Sequence, residues 1–467
     1  MAAQLPERNG AFPLAPRARR AHADVARATG GASAAPAKTR HNWLLYAFLF
    51  FLPLQNLQTG YMPNLGGGLN FLNIGFASAL LGAWYCRGSI TRWSSVQTWI
   101  LVYVGYAIVS MYIGYGNVQS DTSDHFNILK DALLAIMIVF LVQMSVTDWS
   151  SLKRVILVTT LPLPYILKVT WSEHASVSSW HYSDALRISG TFSLLGANEY
   201  ASFCVTMAIV MFGLVLAANL SLRWRLWLIA GITCVVLGVV WAYSRTAYIA
   251  LMLGAIAVLL LWRGRLKMIL PLFLAALILP AVMPASVVER FDSTTIEEGK
   301  RDESTEMRFA FWQLAIGNFA EHPLFGSGYH TFHHHEINPY NMDTHNFFMR
   351  ELTEKGLVGI SITIALLLSI ALACWRTMRD APSGSLAYAL GLGMVGAWLA
   401  LLLSNCFGDR FTYYPMIGYF WAYLGLTLKA REFVLAERKP AAAAGAAIET
   451  APAKPRFAQP RSAREQA

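Results

Sequence analysis

The sequence is short of charge. Asp, Glu, Lys and Arg make up only 14% of its 467 residues, against about a quarter in a soluble protein, which excludes an ordinary water-soluble domain. It is also short of cysteine. Cys86, Cys204, Cys234, Cys374 and Cys406 are scattered in or beside apolar segments without CxxC spacing, so neither a disulfide framework nor a cysteine zinc cluster is indicated. The zinc-hydrolase signature HExxH is missing too. His335-Glu336 begins one, but Pro339 stands where the second histidine belongs.

Apolar sequence is what the chain has in quantity: 55% hydrophobic residues and a mean hydropathy of +0.43. Apolar stretches recur every roughly 25 to 40 residues, many near the roughly 20 residues that cross a bilayer. The 15 Trp and 19 Tyr suit membrane–water interfaces. The fold class expected is an all-α polytopic membrane protein of about twelve transmembrane helices. The spans lie near 43–57, 66–86, 95–115, 128–146, 155–170, 200–219, 226–243, 247–262, 268–283, 356–375, 385–405 and 413–429. Pro162 and Pro164 predict a kink in the fifth.

A formal charge of +10 fits the basic loops of a membrane protein better than nucleic-acid binding, because Lys and Arg collect on cytoplasmic loops. Residues 1–41 carry Arg17, Arg19, Arg20, Arg27, Lys38 and Arg40 in an Ala- and Pro-rich run. That run is too long and diffuse for a signal peptide and is read as a disordered cytoplasmic tail. Residues 431–467 are read as a second, and 42–430 as the membrane domain. With the N-terminus inside, the alternate loops hold Arg87 and Arg92, Lys153 and Arg154, Arg223 and Arg225, Arg263 and Arg265, then Arg376 and Arg379. The opposite set includes the acidic SDTSD (120–124), a loop near 171–199 and a long segment near 284–350. The long segment is thus expected on the periplasmic face of a bacterial inner membrane. Nucleotide sugars are absent there, so any substrate arrives already activated, on a lipid.

Three outward-facing stretches hold the polar candidates. In AYSRTAY (242–248), Arg245 turns the chain at the outer surface; it is either a snorkelling anchor or a guanidinium for phosphate. STEMRFAFWQLAIGNFAEHPLFGSG (304–328) repeats Phe309, Trp312, Ile316 and Phe319 at helical spacing. That pattern suggests an amphipathic helix on the membrane or against the bundle, ended by Pro323 and Gly326. In DTHNFFMRELTEKGLVG (343–359), Asp343 or Thr344 is positioned to cap a helix, with His345 on its inward face and Arg350 paired to Glu354. An imidazole there has the proton affinity to take a proton from a hydroxyl. The run YHTFHHHEINPYNMDTH (329–345) holds five of the 11 histidines. Three in a row cannot all face one ion in regular structure, so no metal is expected, and His333, His334 and His335 read as part of a mobile loop.

RISGTFSLLGANEYASF (187–203), SRTAY (244–248), MRFAFWQLAIGNFAEHPLFGSG (307–328) and HNFFMRELTEKGLVG (345–359) together resemble the O-antigen ligase-like superfamily. It includes O-antigen ligases, O-antigen and exopolysaccharide polymerases and protein oligosaccharyltransferases. The resemblance covers roughly residues 43 to 430. It implies a GT-C-like membrane glycosyltransferase that uses glycans on undecaprenyl diphosphate, with no cofactor or metal. The acceptor is a lipid A-core or a growing glycan. It also implies roles: Arg245 and Arg308 on the diphosphate, and His345 activating the acceptor hydroxyl. Arg187, Asn198, Glu199 and Asn346 are further possible substrate contacts. The Arg-x10-Gly pattern of some O-antigen polymerases fails from Arg187, where Asn198 occupies the glycine position, which favours a ligase-like transferase. A transporter or flippase is the rival of another class. It commonly shows two similar halves and midplane charges; here the spans are nearly free of charge and no half-repeat is visible.

Overall fold

The computed structural model of the protein describes residues 40–61, 70–118, 122–177, 183–264, 285–292, 295–297, 300–301 and 303–449. The chain is a polytopic α-helical membrane protein. Among the described residues, seven helical segments are long and apolar enough to cross a membrane, and Phe71–Cys86 and Arg245–Leu261 are shorter apolar helices.

The chain opens with α1 (Trp43–Phe51) and α2 (Gln55–Tyr61). The expected first span is therefore divided, at Pro53, which has no N–H to continue a helix. There follow α3 (Phe71–Cys86), α4 (Ser95–Asn117), α5 (Thr122–Ser145), α6 (Trp149–Thr160) and α7 (Leu163–Ser176). The helix α6 gives way to α7 at Leu161–Pro162, where the proline pair predicts a kink. Next come α8 (Ala197–Ala217), α9 (Leu222–Trp241) and α10 (Arg245–Leu261). The expected span at 268–283 lies outside the described residues.

The long segment holds α11 (Ala285–Asp292), a small antiparallel ribbon of β1 (Thr295–Glu297) and β2 (Lys300–Arg301), and α12 (Glu303–Glu321). Last come α13 (Phe347–Asp380), α14 (Leu386–Asn405) and α15 (Tyr414–Glu449). The helix α15 continues through the residues expected to begin a disordered tail. The run Ala441–Ala444 explains this locally, since alanine has the highest helix propensity.

Small residues let the central helices approach closely, as membrane helices require when no hydrophobic effect drives them together. A Cβ on Gly213 of α8 would lie 2.5 Å from the Cα of Gly393 on α14. The bundle has two distinct ends. At one, Arg431 pairs with Asp380 at 2.8 Å, Lys429 Nζ donates to the Ser89 carbonyl at 2.6 Å, and Arg263 donates to Ser383 at 3.0 Å. At the other, Thr191 donates to the Pro53 carbonyl at 2.8 Å, Asn117 to the Ser327 carbonyl at 2.9 Å, and the Phe347 N–H to the Gly408 carbonyl at 3.1 Å. The first end gathers the basic loops; the second gathers the long segment and the polar motifs.

The helix α13 is broken near its start. Gly356 adopts φ 63° and ψ −166°, which a side chain at that position resists. The segment 323–328 fills the gap. Leu357 N–H donates to Pro323 O at 2.9 Å and Val358 N–H to Leu324 O at 3.1 Å, while Ser327 and Gly328 N–H donate to Thr353 O and Glu354 O at 3.0 and 2.8 Å. A Cβ on Gly356 would lie 2.4 Å from the Leu324 carbonyl oxygen. We expect Gly356→Ala to lower stability by about 2–4 kcal/mol, read as a fall in the unfolding temperature of the detergent-solubilised protein. Gly317→Ala, on α12 with nothing within 4 Å of the new Cβ, is expected to leave that temperature unchanged or slightly raised.

Candidate active site

The end of the bundle opposite the basic loops holds a cavity of about 1300 Å³. Four arginines reach it from four parts of the chain: Arg187 before α8, Arg290 on α11, Arg308 on α12 and Arg410 between α14 and α15. Asp184, Glu199, Asp343 and Asp409 also line it, together with His345 and Tyr413. Of the residues singled out by sequence, Arg187, Asn198, Glu199, Arg308 and His345 come together on this cavity.

Arg245 and Asn346 do not line it. Arg245 is the first residue of α10, half-buried, two residues after Tyr243, whose carbonyl accepts from Arg290 Nε at 3.3 Å. Asn346 is the cap of α13: its side-chain oxygen accepts from the N–H groups of Phe348 and Met349 at 3.0 and 3.2 Å. This corrects the expectation that Asp343 or Thr344 caps that helix. Their side chains brace the turn instead, Asp343 accepting from the Thr344 N–H at 2.8 Å and Thr344 Oγ1 donating to the Asn346 carbonyl at 2.8 Å.

His345 therefore stands just outside the helix rather than on its face, with φ 50°, a left-handed conformation uncommon for histidine. Such strain persists only where surroundings hold it, and here they are visible. The ring lies 5.9 Å from that of Phe311, and Trp312 Nε1 donates to the carbonyl of the preceding Thr344 at 3.0 Å. Burial holds the imidazole below its ordinary proton affinity; Asp343 and Glu199 oppose that, and Arg308 and Arg410 reinforce it. The ring is thus a free base at neutral pH. Burial and the charges of Asp409, Asp343 and Glu199 push the Tyr413 phenol up, so it stays a donor.

The helix α12 forms one wall. Its bundle-facing residues are Phe311 and Ala315, whereas Phe309 and Ile316 of the expected apolar stripe are exposed. Trp312 and Phe319 of that stripe are half-buried, and the neighbouring face carries Met307, Arg308 and Phe311 to the cavity.

Sequence reasoning missed Arg290 and the connection GDRFTYY (408–414). The signal for the second was available: an adjacent acid and base in a short link between two apolar spans. Arg410 pairs with Glu199 across the cavity wall. Asp409 is buried and accepts from Arg350 and Thr412, and Arg350 Nη2 donates to Thr412 Oγ1 at 2.7 Å. The expected partner Glu354 is farther from Arg350, at 3.9 Å.

Part of the histidine run is packed, while His333 and His335 are exposed. His125 of α5 joins it, with Nε2 2.7 Å from His334 Nε2 and ring centroids 5.3 Å from His330. His330 stacks on His333 at 5.3 Å. Burial drives the proton affinity of His330 down to about 3, and lowers that of His334, so both are neutral at pH 7. Among the described residues, no group of three or more His, Cys, Asp or Glu is placed to hold a metal ion.

Residues 230–364 match the family model described as O-antigen ligase. The chain is similar to the O-antigen ligase-like superfamily. The matched stretch runs from α9 through Arg245, Arg290, Arg308 and His345 and past the break at Gly356; Arg187, Glu199 and Arg410 lie outside it. This family implies glycosyl transfer in general, between a lipid-linked glycan and an acceptor. A comparison with curated proteins finds no match.

The Arg350–Asp409 pair fixes where the Arg410 loop of this O-antigen ligase-like chain lies against α13. Removing one buried partner strands the other's charge, at a cost of about 3–5 kcal/mol. Arg350→Met and Asp409→Leu are each expected to lower the unfolding temperature strongly, and the double variant to recover much of the loss, as a double-mutant cycle by thermal melting will read.

Proposed function

We propose that the protein is a ligase-like glycan transferase of a bacterial inner membrane. It moves a glycan from undecaprenyl diphosphate to a hydroxyl of a lipid A-core or growing glycan. The observation that carries this reading is the single cavity that gathers Arg187, Arg290, Arg308 and Arg410 beside a free-base His345. In this reading the bundle is GT-C-like with about twelve spans and cytoplasmic termini. The cavity is periplasmic, because it lies opposite the basic loops.

His345 accepts the proton of the acceptor hydroxyl as its oxygen forms a bond to the anomeric carbon of the donor sugar. The bond from that carbon to the diphosphate oxygen breaks, and the electron pair leaves with undecaprenyl diphosphate. Arg308 and Arg290 stabilise the charge that develops there, and Arg245, beside the cavity in the turn whose Tyr243 carbonyl Arg290 holds, reaches the diphosphate from outside the lining. Arg410 is engaged by Glu199 and Arg187 by Asn198, the latter at 2.6 Å. These two pairs face the sugar hydroxyls.

His345→Ala is expected to insert and fold yet lose transfer by about 10²–10⁴-fold, and Arg308→Ala or Arg245→Ala by about 10²–10³-fold. The assay is purified protein with an undecaprenyl-diphosphate glycan; near-wild-type turnover in all three variants sinks the reading. Protonation of His345 removes the base, and its proton affinity is lowered. The acid limb of kcat/KM should therefore fall at a pH below the ordinary imidazole value of about 6.5. A chelator is expected to leave turnover unchanged. A deletion strain separates the acceptors: uncapped lipopolysaccharide marks a ligase, and loss of long polymer marks a polymerase.

A further inference from the structure

A second cavity, of about 390 Å³, opens at the basic end of the bundle, remote in sequence and by bundle end from the transfer site. It lies where α6, α8, α9 and α14 meet. Ile156 and Leu228 floor it and the indoles of Trp149 and Trp224 flank it. Lys153 is its single charged lining residue, and no acidic residue lines it among the described residues. Two acids stand near its wall and both are engaged: Glu437 accepts from Trp149 Nε1 at 2.8 Å, and Asp148 accepts from the Ser151 N–H at 2.6 Å.

The polar groups inside have capacity to spare. Lys153 is exposed and makes no hydrogen bond or ion pair among the described residues. Ser221 caps α9 without giving its side chain to the cap. Asn219 bonds through its backbone N–H to the Gly384 carbonyl at 2.8 Å, which leaves its side-chain amide facing the same space.

We propose that this cavity is a binding site for an anionic phospholipid of the leaflet at the basic end. The phosphate oxygens accept from Lys153 Nζ, the Ser221 hydroxyl and the Asn219 amide. The first part of an acyl chain lies on Ile156 and Leu228 between the two tryptophans. A charged group near a membrane surface, an apolar floor and flanking indoles together match a lipid headgroup with its glycerol and upper chain. A soluble anion has no use for the floor, and a zwitterionic lipid leaves the lysine half-answered.

The test is native mass spectrometry of the delipidated full-length protein in detergent. It is incubated with phosphatidylglycerol, phosphatidylethanolamine or inorganic phosphate. One phosphatidylglycerol is expected to be retained in preference to phosphatidylethanolamine. Lys153→Glu should reduce its retention about tenfold or more and Trp224→Ala should also reduce it. Arg379→Glu, at an exposed arginine of the same end, should leave that one lipid in place. Equal loss in Lys153→Glu and Arg379→Glu, equal retention of the two lipids, or full displacement by inorganic phosphate overturns the proposal. Melting curves of each variant separate loss of the site from loss of the fold.

Discussion

A backbone carbonyl or N–H buried in protein has no water to turn to, and this protein breaks a helix at a buried position. The interruption of α13 at Gly356 frees N–H and carbonyl groups, and residues 323–328 supply their partners in both directions. The exchange ties the end of the long segment to the start of a span. It thereby fixes both the helix that carries Arg308 and the turn that carries His345. Around it the helix buries Arg350, Glu351, Glu354 and Lys355, each answered nearby. Lys355 bonds Glu351 at 2.5 Å and Tyr103 at 2.9 Å, and Thr363 donates to Glu351 at 2.6 Å. Charges this deep are tolerated only when paired and hydrogen-bonded.

The site follows from that anchoring. Its arginines come from parts of the chain up to 223 residues apart in number, from Arg187 to Arg410, and each is carried by an element that is itself tied down. Arg187 holds Asn198, Arg290 holds the Tyr243 carbonyl, and Arg410 holds Glu199. The cavity thus balances four arginines against four carboxylates. Such a lining keeps positive groups preorganised without the self-repulsion of an all-basic pocket.

Much of this was legible in residue order. Apolar run length marked the spans, because crossing a bilayer sets a length that composition must satisfy, and the proline pair at 162 and 164 marked the turn from α6 to α7. The motif stretches marked Arg308 and His345. Pairings across the fold were not legible. Arg350 with Glu354 is the local answer at helical spacing, but Asp409 won because the loop after α14 brings a carboxylate closer. His125 stands about two hundred residues from the histidine run it joins, and no periodicity connects them. The capping residue was missed by two or three positions, since Asp343, Thr344 and Asn346 are all good caps and only the turn's own hydrogen bonds decide among them.

The last helix has a consequence of scale. At 36 residues and about 1.5 Å of rise per residue, α15 is about 54 Å long, while bilayer hydrocarbon is about 30 Å thick. It starts at the cavity end, so a helix of this length outruns the hydrocarbon on the basic side. The helix is therefore a post as well as a span.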